Sequence, residues 1–469
     1  MTIMTDRRII VAGAGHGGIV AAYYLAEAGY RVEVYEKKQR EALGYDQKDS
    51  IHLDGFELSG IPVPEAYCVK RTPISFRVPG TDLPPLVQGD AGETYNVEID
   101  RKALYDHLIG LAEGAGVQFH YGVEILGPML LGSRVVGVKT ANGDMYADLV
   151  IDACGLYSPV RSNLPAFLNI EKEPGRFDML HAYRAYFTRN EAAGEPEHKY
   201  LVSVLAGEFC GIMWAITNED HVDVLIGSMY DMTDADIEEK LSLLRDAAPQ
   251  IGDTLLYGGR TPDIPIRQPL SLLVADGYAA IGDAAFMTVP LKGSGIGYSM
   301  RAGRILANCI ASDENGAFTR ETLWNYQFDY FEQIGFSAAT IAVIKAVFPF
   351  LTTEDLEYFI KENVVSSEDL EMFGNEAGIF KILTSMRMRA LTDKAKKIVG
   401  HPDARRLLLD VGKNVVRFRR IRSLLKEKPD EKNVVRWVNA YVSFFESLKT
   451  AGKPAKGAAE AEEKEENEE

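Results

Sequence analysis

Six residues carry the first chemical signal: Gly13-Ala14-Gly15-His16-Gly17-Gly18. Ile9-Ile10-Val11 reads as a short buried strand running into them, and Ile19 to Ala28 as the helix that leaves them. Arg31 to Tyr35 reads as a second strand with Glu36 at its tip. Glycines so placed between a strand and a helix, with an acid at the next strand's end, are the fingerprint of a dinucleotide site. Gly13 permits a tight turn, Gly15 lets a pyrophosphate reach the backbone, and Gly18 allows close helix–strand packing. The helix start, with His16 and Gly17, offers unpaired N–H groups and partial positive charge to phosphate. Glu36 is placed to accept from the adenosine ribose hydroxyls. A plain strand–turn–helix with incidental glycines is the competing reading, and the full context disfavours it.

A second constellation lies far along the chain. Gly277 to Ile281 reads as a strand ending in Gly282-Asp283-Ala284-Ala285. Pro290 and Gly293-Ser294-Gly295-Ile296-Gly297 then lead into a helical run, Tyr298 to Ile310. An Asp at a strand tip suits the ribityl chain of FAD. A glycine-rich helix start suits the flavin edge that becomes negative on reduction. A buried Asp capping its own turn is the alternative.

Together these segments resemble the p-hydroxybenzoate hydroxylase superfamily of flavoproteins, over roughly residues 7–310. Residues 282–307 are more similar to its geranylgeranyl reductase branch than to the aromatic hydroxylases. Phe286 stands where hydroxylases usually carry His, and Met300 to Gly303 matches a Met-x-x-Gly helix common in reductases. The resemblance implies FAD, a Rossmann-like α/β domain, and an inserted, mostly antiparallel β substrate domain followed by a C-terminal helical region. It implies that Arg101, opening a helix with Leu104, Leu108 and Leu111 on one face, contacts the ribityl-phosphate region. A surface arginine is the alternative. Where many members carry Asp-Gly for NAD(P)H handling, this chain has Cys154-Gly155, which leaves NAD(P)H at most a transient electron donor. Gly211, Trp214 and Ile216 keep the skeleton of a substrate-side reductase motif. Trp214 and Phe286 are therefore candidate substrate contacts, with core packing the alternative for Trp214.

The remaining sequence sets the frame. Val135 to Val138 and Ala147 to Ile151 read as hairpin strands across Asn142-Gly143. Residues 1–44, 101–165 and 270–310 are expected to build the FAD domain, 45–100 and 166–269 the substrate domain, and 311–450 the helical region. Asp46, Asp49 and His52 fall in a connection whose residues either face the pocket or lie in a solvated loop, and the loop is favoured. The four cysteines form no Cys-x-x-Cys pair, which disfavours zinc and iron–sulfur sites and suits a reducing cytoplasm. No metal site and no acid–base catalyst stands out. The apolar stretch Phe336 to Leu351, interrupted by Lys345, reads as too short to span a bilayer.

Charge is uneven. Lys381 to Arg436 holds seventeen basic and six acidic residues, a net +11, so the rest carries −28 against a whole-chain charge of −17. That acidic body excludes general nucleic-acid binding. The basic helices, 381–448, suit either pairing with the body in cis or peripheral contact with anionic lipid, and the first is favoured. Val434, Val438, Tyr441, Val442, Phe445 and Leu448 form one face of a final helix. Residues 451–469, rich in Ala and Glu, are expected to be disordered. The combined reading is an FAD-dependent oxidoreductase that reduces C=C bonds in an apolar, lipid-like small molecule. A flavin monooxygenase using NAD(P)H and O2, and a non-catalytic flavoprotein, are the alternatives.

Overall fold

The computed structural model describes residues 6–44, 47–64, 69–70, 73–89, 96–175, 177–291, 293–313, 315–374 and 402–449. Asp46, Cys68, the basic stretch before Pro402 and the 451–469 tail lie outside them.

A six-stranded sheet runs Val274–Ala275, Tyr278–Ala280, Leu149–Asp152, Arg8–Ala12, Arg31–Glu36, Gln118–Tyr121 from edge to edge. It is parallel except at the Val274–Ala275 edge. Ile9-Ile10-Val11 and Leu149-Val150-Ile151 are fully buried, as continuous apolar runs in a sheet covered on both faces must be. This corrects the expected hairpin. The turn at Asn142-Gly143 is present, but the partner of Arg134–Thr140 is Gly143–Tyr146. The next run, Leu149–Asp152, is too apolar for an exposed hairpin and instead pairs in parallel with the first strand.

Helix His16–Glu27 begins three residues earlier than expected, with Gly15 as its cap. It packs against helix Ile296–Ala311 with backbone touching backbone. A methyl group on Gly303 would lie 2.4 Å from the Gly17 carbonyl oxygen, and one on Gly17 would lie 2.5 Å from the Ser299 carbonyl oxygen. A second such contact joins Gly297 to Gly55 of the short helix Leu53–Ser59, where an added methyl would lie 2.9 Å from the Gly297 Cα. Ile51, Phe56, Val97 and Ile99 are therefore buried in the dinucleotide core, although residues 45–100 were expected wholly in the substrate domain. Among the described residues of that stretch, Ile74–Arg77 and Leu86–Gln88 join the large sheet.

That sheet runs Ile251–Arg260, Met179–Arg189, His221–Ser228, Gly211–Thr217, Tyr200–Leu205, Ile74–Arg77, Leu86–Gln88. Strand alternation gives it two faces. Ala185, Met213, Ala215 and Val224 form an apolar core with Ile237 and Leu244 of helix Asp234–Ala247. The register places Arg184, Trp214 and Leu225 on the opposite face.

The apolar helix is longer than the sequence suggested. It runs continuously from Trp324 to Phe350, 27 residues, through a π turn at Phe331–Gly335. By length and composition it is long enough to cross a membrane, but 61% of its most apolar window is buried inside the protein. Polar Gln327 hides its first half in the sequence; the side chain accepts from Leu273 N–H at 2.7 Å and donates to the Ser271 carbonyl at 3.0 Å. The last helix, Glu431–Lys449, buries the expected face and also Trp437 and Phe444. Trp437 and Tyr441 donate to the carbonyls of Ser271 and Pro269.

The glycine crossing sets the first prediction. Gly303→Ala should cost about 1–3 kcal/mol by overpacking and lower Tm. Gly110→Ala, in an exposed helix position with open space around it, should instead stabilise by up to about 1 kcal/mol. Equal melting curves for the two variants would refute a backbone-tight crossing.

Candidate functional site

The fingerprint loop is fixed from below. Gly13 has φ +85°, and a methyl group there would lie 2.6 Å from the Ala153 carbonyl oxygen. One on Gly18 would lie 2.6 Å from the Ala153 Cβ and 2.9 Å from Val11, so this glycine sets the strand–helix distance. Gly15 also faces the Ala153 carbonyl, at 3.0 Å from an added methyl. The helix start has no side-chain cap and no acid in its first turn, leaving its N–H groups to a ligand. Glu36 is buried at the strand tip and accepts from Ala14 N–H and Lys38 N–H, each at 2.9 Å. It thus braces the loop, with lone pairs left for a ribose.

The His16 ring lies tilted against Tyr105 with ring centroids 4.4 Å apart, and its Nε2 is buried without a partner. Burial and then the nearby Arg101 charge lower its pKa to about 3, so it is neutral. Its contribution to a phosphate site is a neutral imidazole, not a cation.

The second motif faces the same region. Gly282–Ala285 forms a single tight turn, and Thr288 Oγ1 donates to Asp283 Oδ1 at 2.9 Å. Burial raises the Asp283 pKa, while Thr288 and Arg101 oppose the shift. Gly293 and Ser294 are exposed, Pro290 is buried, and Val289 N–H donates to the Ser294 carbonyl at 2.9 Å. Gly295 starts helix Ile296–Ala311, also without a side-chain cap or a first-turn acid. Two bare helix starts, joined through the Gly17–Gly303 crossing, and an orphaned imidazole nitrogen fit an anionic dinucleotide bearing a flavin.

Arg101 is no surface residue. Its Nε donates to Asp49 Oδ2 at 2.5 Å. Asp49 Oδ1 accepts from Arg184 at 3.2 Å, and Arg184 makes a two-point pair with Asp223 at 2.6 and 3.1 Å. The guanidinium of Arg184 also lies 5.7 Å from the ring centres of both Trp214 and Tyr186. A chain of four charges therefore runs from the fingerprint side to the large sheet. Sequence reasoning missed Asp49, Arg184 and Asp223. The available signal was a charged residue inside each of two apolar strands, His-Ala-Tyr-Arg-Ala-Tyr-Phe and His-Val-Asp-Val-Leu-Ile. Asp49 lies on strand Lys48–His52, not on a solvated loop, because its carboxylate closes this chain.

Trp214 sits on that charged face, half-buried, edge-on to Tyr200 and with its indole N–H unpartnered. Phe286 is placed differently from the expectation. It is fully buried, in left-handed conformation at φ +54°, with Arg161 and Arg267 guanidiniums each 4.5 Å from its ring centre. It is a core residue behind the Gly282 turn, not a substrate wall. Arg161, which sequence reasoning passed over, is also fully buried and donates to the Ala284 carbonyl at 2.6 Å. Cys154 is a free thiol whose pKa burial pushes well up, so it is no nucleophile. Among the described residues no group of His, Cys, Asp or Glu could hold a metal ion.

The profile of the NAD(P)-binding Rossmann-like domain family matches residues 11–54. The chain is 24% identical to digeranylgeranylglycerophospholipid reductase of Sulfolobus acidocaldarius, covering 83% of this chain and 86% of that one. It is 24% identical to the protein of the same name from Methanothrix thermoacetophila, covering 82% and 97%. In sequence the chain is thus similar to the geranylgeranyl reductases along most of its length. Its fold matches that of a geranylgeranyl bacteriochlorophyll reductase-like protein from Thermoplasma acidophilum, with TM-score 0.64, 19% identity, and coverage of 86% and 99%. The expected flavin-side Arg101 and substrate-side Trp214 are thus linked through the Arg101–Asp49–Arg184 ion pairs and the contact of Arg184 with the Trp214 ring.

Those pairs yield a stability prediction. Burial alone would raise the Asp49 pKa, but the Arg101 and Arg184 guanidiniums outweigh it and hold the carboxyl below its usual 3.8. Stability from a depressed carboxyl is present above the unfolded value and lost as pH falls through the folded one. Asp49→Asn should cost about 2–3 kcal/mol at neutral pH, the lower end because Arg101 keeps some water contact. It should also flatten the stability loss below about pH 3.8, read from urea midpoints across pH 3–6. A wild-type acid limb in the variant would show that the carboxylate is not clamped.

Proposed function

We propose that this protein is an FAD-dependent oxidoreductase that saturates C=C bonds of an apolar, lipid-like substrate. The observation that carries the reading is the match to two reductases over 86% and 97% of their lengths. Bound FAD, once reduced by an external donor, would supply the hydride for such a reduction, and a proton from a protein hydroxyl or water would complete it. Gly13, Gly15, His16, Gly17 and Gly18 would hold its pyrophosphate and Glu36 its adenosine ribose. Arg101, Gly282 and Asp283 would take the ribityl-phosphate region, and Pro290, Gly293, Ser294, Gly295 and Ile296 would lie along the flavin ring.

The chain's own groups do the rest. The Asp49–Arg184 pair holds the large sheet over the dinucleotide unit and orients Trp214 toward the substrate. Tyr186 and Tyr200 lie on the same sheet face, and burial raises both pKa values, so each hydroxyl stays protonated and able to donate. The electron donor is external. NAD(P)H would reach the flavin transiently, since Cys154 stands where an Asp supports its handling in relatives.

The test is to reduce the purified holoprotein without oxygen, using NADH, NADPH or dithionite in separate runs. A geranylgeranyl-bearing lipid is then added and products are read by mass spectrometry. We expect reoxidised flavin and a product gaining two hydrogens per double bond. A product gaining oxygen, formed only in air, would establish a monooxygenase instead. A flavin that no donor reduces would point to a non-catalytic role.

The basic C-terminal helices are read as a cap neutralising the acidic body. Lys449 of the last helix pairs with Asp178 of the body at 3.3 Å, and Arg422 pairs with Glu332 of the apolar helix at 2.7 Å. Sedimentation should therefore pull down equal fractions with neutral and anionic liposomes. Selective pelleting with anionic vesicles would reverse this in favour of peripheral membrane contact through 381–448.

A further inference from the structure

A recess of about 40 Å³ opens between the apolar helix Trp324–Phe350, the last helix, and the turn at Phe177-Asp178. Its walls are mostly carbon, from Ala342, Pro349, Phe350, Phe445 and Leu448. Its polar lining is Lys345, Lys449, Asp178 and Gln268. No residue assigned above to FAD or to the substrate face takes part.

Lys345 is the unusual member. It is 6% exposed, and its ammonium has three donors. It donates to the Phe177 carbonyl, and among the described residues it forms no ion pair. The nearby Asp178 carboxylate is engaged elsewhere: by Gly175 N–H at 2.7 Å, Lys449 at 3.3 Å and Arg267 at 3.6 Å. A buried ammonium lacking a paired charge is costly, and the group responds by shedding its proton more readily. Burial lowers the Lys345 pKa to about 8; Asp178 and Cys210 favour the charged form, Lys449 and Arg267 oppose it. Two cations at one end of an apolar recess, one of them unpaired, complement a carboxylate on a hydrocarbon chain. The open volume holds about three water-sized groups, enough for the three heavy atoms of the carboxylate, with the chain continuing into the mouth.

We propose that this recess binds the head of a single-chain fatty acid, its carboxylate on Lys345 and Lys449 and its chain along Phe350, Phe445 and Leu448. The site does not depend on the reaction proposed above.

Calorimetric titration of the full-length, FAD-loaded protein with decanoate, below its micelle threshold, tests it. One saturable site is expected, with decanol and decyltrimethylammonium at least about tenfold weaker. Decanoate affinity should hold between about pH 6, where its carboxylate is ionised, and pH about 8, and fall above that as Lys345 deprotonates. Asp178, held low, and Cys210, pushed up to about 12, do not titrate in that window. Lys345→Met puts an apolar chain in a mostly apolar site and should fold. It should remove at least about tenfold of the affinity together with the pH dependence. Lys449→Gln, at the rim, should weaken binding severalfold without touching the buried amine. Absence of saturable binding, equal affinity for decanol, or unchanged binding in Lys345→Met would each overturn the proposal.

Discussion

Gly17 and Gly303 let two helices cross at backbone distance, and each of those helices starts at a dinucleotide motif. The first motif begins at Gly13 and the second at Gly282, about 270 residues later. Without the crossing, their bare N-termini would have no fixed relation to each other. Side chains of ordinary size would push the axes apart, since interiors are close-packed and even one methylene is felt. Gly55 against Gly297 repeats the device from the other side of the same helix. The glycine content near the motifs therefore serves helix–helix distance as much as ligand approach. Even Gly15, whose expected role is to admit pyrophosphate, also makes room for the Ala153 carbonyl.

With the dinucleotide unit fixed, the large sheet needs its own anchor, and Arg184 supplies it. Its guanidinium donates to Asp223 on the neighbouring strand, and across to Asp49 and to the Lys48 carbonyl at 2.6 Å. Burying these charges gains little net stability over apolar packing. What they supply is direction: planar, two-point pairing tolerates little sliding. A sheet held by apolar contact alone would be free to shift against the flavin motifs, and Trp214 would shift with it. The charge chain is consistent with a site whose substrate is mostly carbon. Such a substrate offers few polar handles, so the precision has to reside in the protein.

Much of this was legible in the sequence because it rests on local rules. The Gly13–Gly18 and Gly282–Gly297 segments announce turns and helix starts through residue type and spacing. Trp214 and its partner strand follow from alternation. What escaped depends on partners distant in sequence. Asp49 looks like any acid in a polar connection until Arg101 and Arg184 arrive from elsewhere. Leu149–Asp152 reads as a hairpin strand because the Asn142-Gly143 turn is a strong local signal, while its true neighbour lies some 140 residues away. Gln327 broke the apolar pattern of its helix, since nothing local reveals that backbone groups of Leu273 and Ser271 satisfy it. Phe286 was misplaced for the same reason: its position between two arginines is a tertiary fact.

Those two arginines tie distant parts of the molecule together. Arg161 holds the Ala284 carbonyl from behind, and Arg267 covers the other side of Phe286. Arg267 is itself paired with Glu171 at 2.5 Å and with Asp178 at 3.6 Å, and Asp178 lines the Lys345 recess. The back of the flavin-side turn and the floor of the recess thus share one buried cation. Charges buried this deeply are screened far less than surface pairs. Arg267 thus touches both the Asp178 carboxylate and the Phe286 ring. The left-handed backbone of Phe286 follows directly on the Gly282–Ala285 turn, so the packing of its ring fixes the path by which the chain leaves Asp283. The helical region is in this sense part of the site's support, although none of its residues belongs to either dinucleotide motif.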